Sequence, residues 1–188
     1  MEPNPQSNPE ALALVRLLAS SRTQSGRNIF DLSADSRVLL VFLRHAGCSF
    51  CREALSDLAR VRGSIEEGGT RIVLVHMGDT GRFESLLAKN ELSDLDRFCD
   101  PDQKLYKAFG VKRGRLSQLF GPKVLWRALS GGVLIRHGIG SASADPAQMP
   151  AIFLLSNSAI VRRFRHRSAA DRPDYLSFCA LEPQTATP

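Results

Sequence analysis

The run VLLVFL, residues 38–43, holds six consecutive apolar side chains. A strand with one solvated face alternates apolar and polar residues, whereas a strand covered on both faces need not. The run therefore points to a central strand with helices on either side, an α/β arrangement. The neighbours that such a strand needs follow at once. CREALSDLARVR carries Cys51, Ala54, Leu55, Leu58 and Val61 at three- and four-residue intervals, a helical stripe. Gly68-Gly69 turns the chain into RIVLVHM, a second covered strand, which completes a right-handed parallel crossover.

The flanking sequence extends this pattern. Residues 10–22 are predicted to form an amphipathic helix with Leu12, Val15, Leu18 and Ala19 on one stripe, followed by a Gly-containing loop. Downstream, residues 80–89 are predicted helical, RFCD a short strand, and DQKLYKAF a helical turn or two ending at Gly110. Residues 115–129 carry a helical pattern that Gly121-Pro122 should break. A loose loop leads to Met149-Pro150. AIFLLSNSAIVRRFRH then reads as two strands joined around Ser156-Asn157, a β-hairpin, and Asp171 to Leu181 as a closing helix. A single domain over residues 10–181 is expected, with disordered tails at 1–9 and 182–188.

The elbow between the first strand and its helix reads RHAGCSFCRE. A CxxC pair is shared by metal clamps, structural staples and reversible redox switches. Cysteines at i and i+3 of a helical turn are spaced for a disulfide, whose Cα atoms lie about 4.4–6.8 Å apart. A helix that starts at the pair also offers unpaired N–H groups and the positive end of its dipole to the first sulfur, favouring a thiolate. On this reading Cys48 is the nucleophile and Cys51, on the core stripe, the resolving thiol; Arg44, His45 and Arg52 add positive charge. Zinc, or an iron–sulfur cluster shared between two chains, is the competing reading. A structural zinc site takes four ligands, and Cys99 and Cys179 are isolated, with His45 the one further donor at the elbow. No metal or other cofactor is expected. Cys99 and Cys179 read as packing thiols, His76 as a satisfied strand-end histidine, and His137 and His166 as residues without a role.

A net charge of +6 gathers at VKRGR and VRRFRHR, without a zinc-finger, RRM or KH pattern. It reads as a solvated basic surface, with no specific nucleic-acid partner. MEPNPQSNPE carries two acids and three prolines, and the apolar stretch ALALVRLLAS is short and interrupted by Arg16, so neither a secretory signal nor a membrane span is expected. The expected location is cytoplasmic, away from membranes. Thiols there are kept reduced, and cysteines more often do chemistry or bind metal than brace a fold.

A strand ending in CxxC at a helix mouth, followed far downstream by QMPAIFLL, resembles the thioredoxin fold. More specifically, VLLVFLRHAGCSFCRE, CDPDQKLYKAFGV, ADPAQMPAIFLL and FRHRSAADRPDY, spread over residues 36–180, resemble the peroxiredoxin-like branch of the AhpC/TSA families. The resemblance implies a thioredoxin-like fold: a central mixed β-sheet flanked by helices, an N-terminal helix, and a peroxiredoxin-like insertion at 79–148 ahead of a strand opened by a cis Pro150. It implies that Cys48 and Cys51 are the redox pair, with Arg44 and His45 at the elbow. Met149 would then turn its backbone N–H and C=O toward the thiols to bond an extended substrate. It further implies a thiol-dependent antioxidant or thiol–disulfide oxidoreductase, acting on a disulfide or peroxide with a thioredoxin- or glutaredoxin-type electron donor. A catalytically silent interaction module is the alternative, and a homodimer is compatible with either. The P-x-x-x-T/S-x-x-C loop of true peroxiredoxins is missing. Val41 and His45 hold the Pro and Thr positions before Cys48, and Arg44 and Cys48 those before Cys51. Dithiol–disulfide exchange with slow peroxide reduction is therefore expected.

Overall fold

In a computed structural model of the chain, residues 9–78, 80–130 and 145–180 are described. Five strands form one sheet in the order β3-β2-β1-β4-β5. They are β1 (Arg37–Phe42), β2 (Thr70–His76), β3 (Asp96–Cys99), β4 (Ala151–Ser156) and β5 (Ala159–Arg165). β1 pairs parallel with β2, and β2 with β3; β4 runs antiparallel to β1 and to β5. The sheet is mixed, with β1 at its centre.

The apolar run is explained by what covers it. Leu39, Val41 and Leu43 join one core cluster, with Leu55, Leu58 and Ile65 of α3 (Ser49–Glu67) and Phe83 and Leu87 of α4 (Thr80–Lys89). Val38, Leu40 and Phe42 join a second on the opposite face. That core is closed by Leu18 of α1 (Pro9–Ser20), by Ile29 and Leu32 of α2 (Ile29–Asp35), and by Leu105 and Tyr106 of α5 (Lys104–Ala108). The Tyr106 hydroxyl donates to the Leu43 carbonyl and, at 3.2 Å, to that of Val75, tying α5 to the ends of β1 and β2.

Helix α2 replaces the expected loop. Asn28 caps it, accepting from the Asp31 N–H at 2.7 Å, a local bond that stabilises even a two-turn helix. The pattern at 115–129 breaks where expected, into α6 (Leu116–Phe120) and α7 (Pro122–Ser130). A Cβ at Gly121 would lie 2.1 Å from the Ser117 carbonyl oxygen, so this tight break requires glycine. The hairpin turn is Asn157-Ser158, both at positive φ, as its right-handed twist favours. The closing helix α8 (Tyr175–Cys179) is shorter than expected. Asp171 is engaged instead by the Arg167 and Ser168 N–H groups, and Arg172, which precedes Pro173, is disfavoured from helical geometry. The expected tails fall almost entirely outside the described residues, as does most of the expected loop at 130–148.

Candidate active site

The elbow places both cysteines at the start of α3. Cys48 is its N-cap and Cys51 lies in its first turn, where the Cys51 N–H donates to the Cys48 carbonyl at 3.1 Å. Both are free thiols, and both are buried, with exposures of 6% and 4%. Cys48 is thus less open than a helix mouth suggested, retaining a narrow solvent window.

Arg44 serves both sulfurs. Its backbone N–H donates to Cys51 Sγ at 3.2 Å and its guanidinium to Cys48 Sγ at 3.3 Å, while a second guanidinium nitrogen donates to the Pro146 carbonyl. The guanidinium is thereby fixed between the pair and the segment leading into β4. A hydrogen bond from the Cys51 thiol is the largest influence on Cys48. Burial opposes ionisation, but the Arg44 charge and the Cys51 and Phe50 backbone groups add to the thiol's bond and bring Cys48 down to about 6 from an ordinary 9.0. Cys51 moves the other way, well above the ordinary value, because its proton is held by Cys48 and burial disfavours a second thiolate. One member of the pair is thus a poised anion and the other keeps its proton, the asymmetry that thiol exchange needs.

His45 departs from expectation. It is buried, its Nδ1 has no hydrogen-bond partner, and burial followed by the Arg44 and Arg52 charges lowers it to about 4. It is neutral at neutral pH and adds no positive charge. Arg52 donates to the Ala46 carbonyl at 3.0 Å.

The expected cis bond at Pro150 is corrected: no cis peptide occurs among the described residues, so Met149–Pro150 is trans. The Met149 N–H donates to the Lys112 carbonyl at 3.3 Å, and the Gln148 side chain donates to the Val111 carbonyl at 3.0 Å and to the Met149 carbonyl at 3.4 Å. These bonds tie the approach to β4 to the 111–114 segment and occupy the backbone groups that were expected to face the thiols. Met149 instead packs its side chain with Leu119 and Ala169. Pro150 still reaches the site, since it lines a cavity of about 20 Å³ together with Arg44, Cys51, His166 and Tyr175. That is room for about one water.

His166 is the residue that sequence reasoning passed over. It lines that cavity, and its Nδ1 is buried without a partner. Its setting among arginines gave no signal of this. His76, expected to be satisfied, stacks on Phe83 at 4.1 Å while its Nδ1 also lacks a hydrogen-bond partner. Cys99 is half-buried on β3, its sulfur 3.7 Å from the Gly78 carbonyl. Burial raises Cys179 to about 11. Cys179 packs in the same core cluster as Cys48 and Cys51. Among the described residues no three His, Cys, Asp or Glu side chains are grouped to hold a metal ion.

The sheet order, the crossover and a CxxC at the α3 N-terminus define a thioredoxin-like fold. It is shared with a secreted Mycobacterium tuberculosis disulfide oxidoreductase homologous to E. coli DsbE, which is 17% identical with a TM-score of 0.55 over 87% of this chain and 95% of that one. It is also shared with the peroxidoxin BcpB of the same organism, 14% identical with a TM-score of 0.55 over 79% and 82%. Residues 57–169 match the AhpC/TSA antioxidant enzyme family, and the chain belongs to that family. The matched region begins beyond Cys51, so membership by itself assigns no role to the pair. Among curated proteins the chain is similar to Peroxiredoxin-like 2C of Bos taurus, 27% identical over 158 residues, which are 76% of this chain and 66% of that protein.

Proposed function

We propose that the protein is a two-cysteine thiol–disulfide oxidoreductase. The observation that carries this reading is the placement of the pair at the α3 N-terminus with the Arg44 guanidinium donating to Cys48 Sγ and the Arg44 N–H to Cys51 Sγ, an arrangement that favours a thiolate at Cys48 and a retained proton at Cys51. The Cys48 thiolate attacks one sulfur of a substrate disulfide, forming a mixed disulfide and expelling the other sulfur as a thiolate. Cys51 then gives up its proton and attacks Cys48 Sγ. The Cys48–Cys51 disulfide closes, and the remaining substrate thiolate leaves. Two electrons have passed to the substrate, and a dithiol donor of the thioredoxin or glutaredoxin type restores the pair.

With a hydroperoxide, the same thiolate takes the distal oxygen and releases an alcohol; the resulting sulfenic acid condenses with Cys51 and loses water. No Thr or Ser hydroxyl stands three residues before either cysteine to assist, so this branch is slow.

Mass-spectrometric redox titration with and without thioredoxin tests the reading. A single two-electron transition confined to Cys48 and Cys51, reset by thioredoxin, is expected. A pair that stays reduced across the accessible range, or that purifies with stoichiometric zinc, would overturn it.

A further inference from the structure

The outward face of α6 and α7 is apolar. Phe120, Leu125, Trp126 and Leu129 are exposed by 69, 57, 73 and 61%. Lone exposed apolar residues are ordinary, but a contiguous group marks a surface that something covers. The inner face fixes this orientation. Val124 and Ala128 are buried, and Arg127 donates to the Glu53 carboxylate at 2.8 and 2.9 Å and to the Ala170 carbonyl. Phe120, Leu125, Trp126 and Leu129 are therefore held toward solvent.

Charge indicates what covers them. No Asp or Glu occurs at residues 103–130, which contain seven Lys and Arg residues; of these, Lys123 pairs with Asp171 and Arg127 with Glu53. Around the start of α6 this stretch lines a groove of about 400 Å³ with Lys112, Arg113, Arg115 and Gln118, joined by Arg165 from the end of β5. Asp145 pairs with Arg113 at 2.9 Å, and the groove lining itself carries no carboxylate. An apolar, Trp-bearing helical face that follows directly in sequence on a basic groove is the pattern of a segment lying in a membrane interface. The apolar side chains enter the acyl boundary, the indole rests at headgroup depth, and the cations meet phosphate. A second copy of the chain would set cation against cation. Nucleic acid would fill the groove but leave Leu125 and Leu129 in water. We propose that α6, α7 and the basic groove dock the protein on an anionic lipid surface. No described helix is long and apolar enough to cross a bilayer, so the contact lies in its plane. The groove shares Pro150 and His166 with the cavity beside Cys51, so thiol reactivity is followed separately in the test.

Trp126 is the only tryptophan in the chain and reports on its own surroundings. The reduced chain of residues 1–188 is titrated with phosphatidylcholine vesicles, with and without phosphatidylserine, at low salt. The expected result is a blue shift of Trp126 emission and co-sedimentation with the anionic vesicles, both reversed by salt. Replacing Lys112 and Arg115 by Gln should weaken binding by roughly fivefold per residue. The double variant Leu125→Asp/Leu129→Asp should abolish the shift while its circular dichroism and Cys48 alkylation rate stay unchanged. Emission unmoved by either vesicle at millimolar lipid would overturn the proposal. So would a blue shift that grows with protein concentration in the absence of lipid, or undiminished vesicle binding by the Leu125→Asp/Leu129→Asp variant.

Discussion

Arg44 donates into the thiol pair twice, its backbone N–H to Cys51 and its guanidinium to Cys48. The two bonds act on different protonation states: the guanidinium stabilises a charge, while the amide orients the neutral partner. Replacing Arg44 by Met removes the first and keeps the second. The pH at which Cys48 becomes half reactive should rise by about one unit or more, as for an ion losing a close opposite charge. Stopped-flow alkylation across pH checks this. Cys51→Ser should leave Cys48 reactive and trap mixed disulfides with substrate proteins, visible on non-reducing gels; Cys48→Ser should trap none. The pair itself was legible, because i and i+3 spacing at the end of a covered strand leaves few geometries. The partners were less so. Spacing places Arg44 beside the elbow but does not show its side chain folding back onto Cys48, and it gave His45 the wrong charge because burial depth is not written in the local sequence. His166 lies between arginines on β5's exit, and only the folded chain brings it to Cys51's cavity.

The helices and strands differ in how openly the sequence announces them. β1 and β2 were readable because uninterrupted apolar runs have one economical fate in a soluble α/β sheet, and α3 and α4 because their apolar stripes are long. α2 was missed: its two turns rest on one Asn28 cap and on Ile29 and Leu32 meeting a distant core. Register at Pro150 depended on contacts with the 111–114 segment, far away in sequence. Two substitutions test which of these attachments hold the site. Leu55, fully buried on α3 in the core beneath the sheet, should cost about 2–5 kcal/mol as Ala in urea unfolding. Tyr106→Phe deletes a buried hydroxyl that serves two strand-end carbonyls and should cost about 1–3 kcal/mol, with little change in thiol reactivity.

Between pH 4 and 6.5 the pH response of the described residues is carried by three histidines. Burial, the largest cause for each, lowers His45, His76 and His166 to about 4 from an ordinary 6.5. Between those values the unfolded chain binds protons that the folded chain does not, so stability rises with pH across this window. The contribution is complete above pH 6.5 and is lost as pH falls toward 4. Thermal unfolding midpoints should therefore drop steeply from pH 6.5 to 4, and an aromatic substitution at His76, where the ring stacks on Phe83, should flatten that slope. Family membership and fold are settled at this level, since they rest on residues 57–169 and on the sheet order. The chemistry rests on the ten residues of the elbow, 44–53, that precede the matched region. The most direct measurement is the rate of Cys48 carbamidomethylation as a function of pH, followed by peptide mass spectrometry. Burial of Cys48 scales the plateau of that curve, whereas its midpoint reads ionisation alone. The account requires a midpoint near pH 6 with Cys51 unmodified throughout; a midpoint at the ordinary thiol value of 9.0, or equal labelling of both sulfurs, would contradict it.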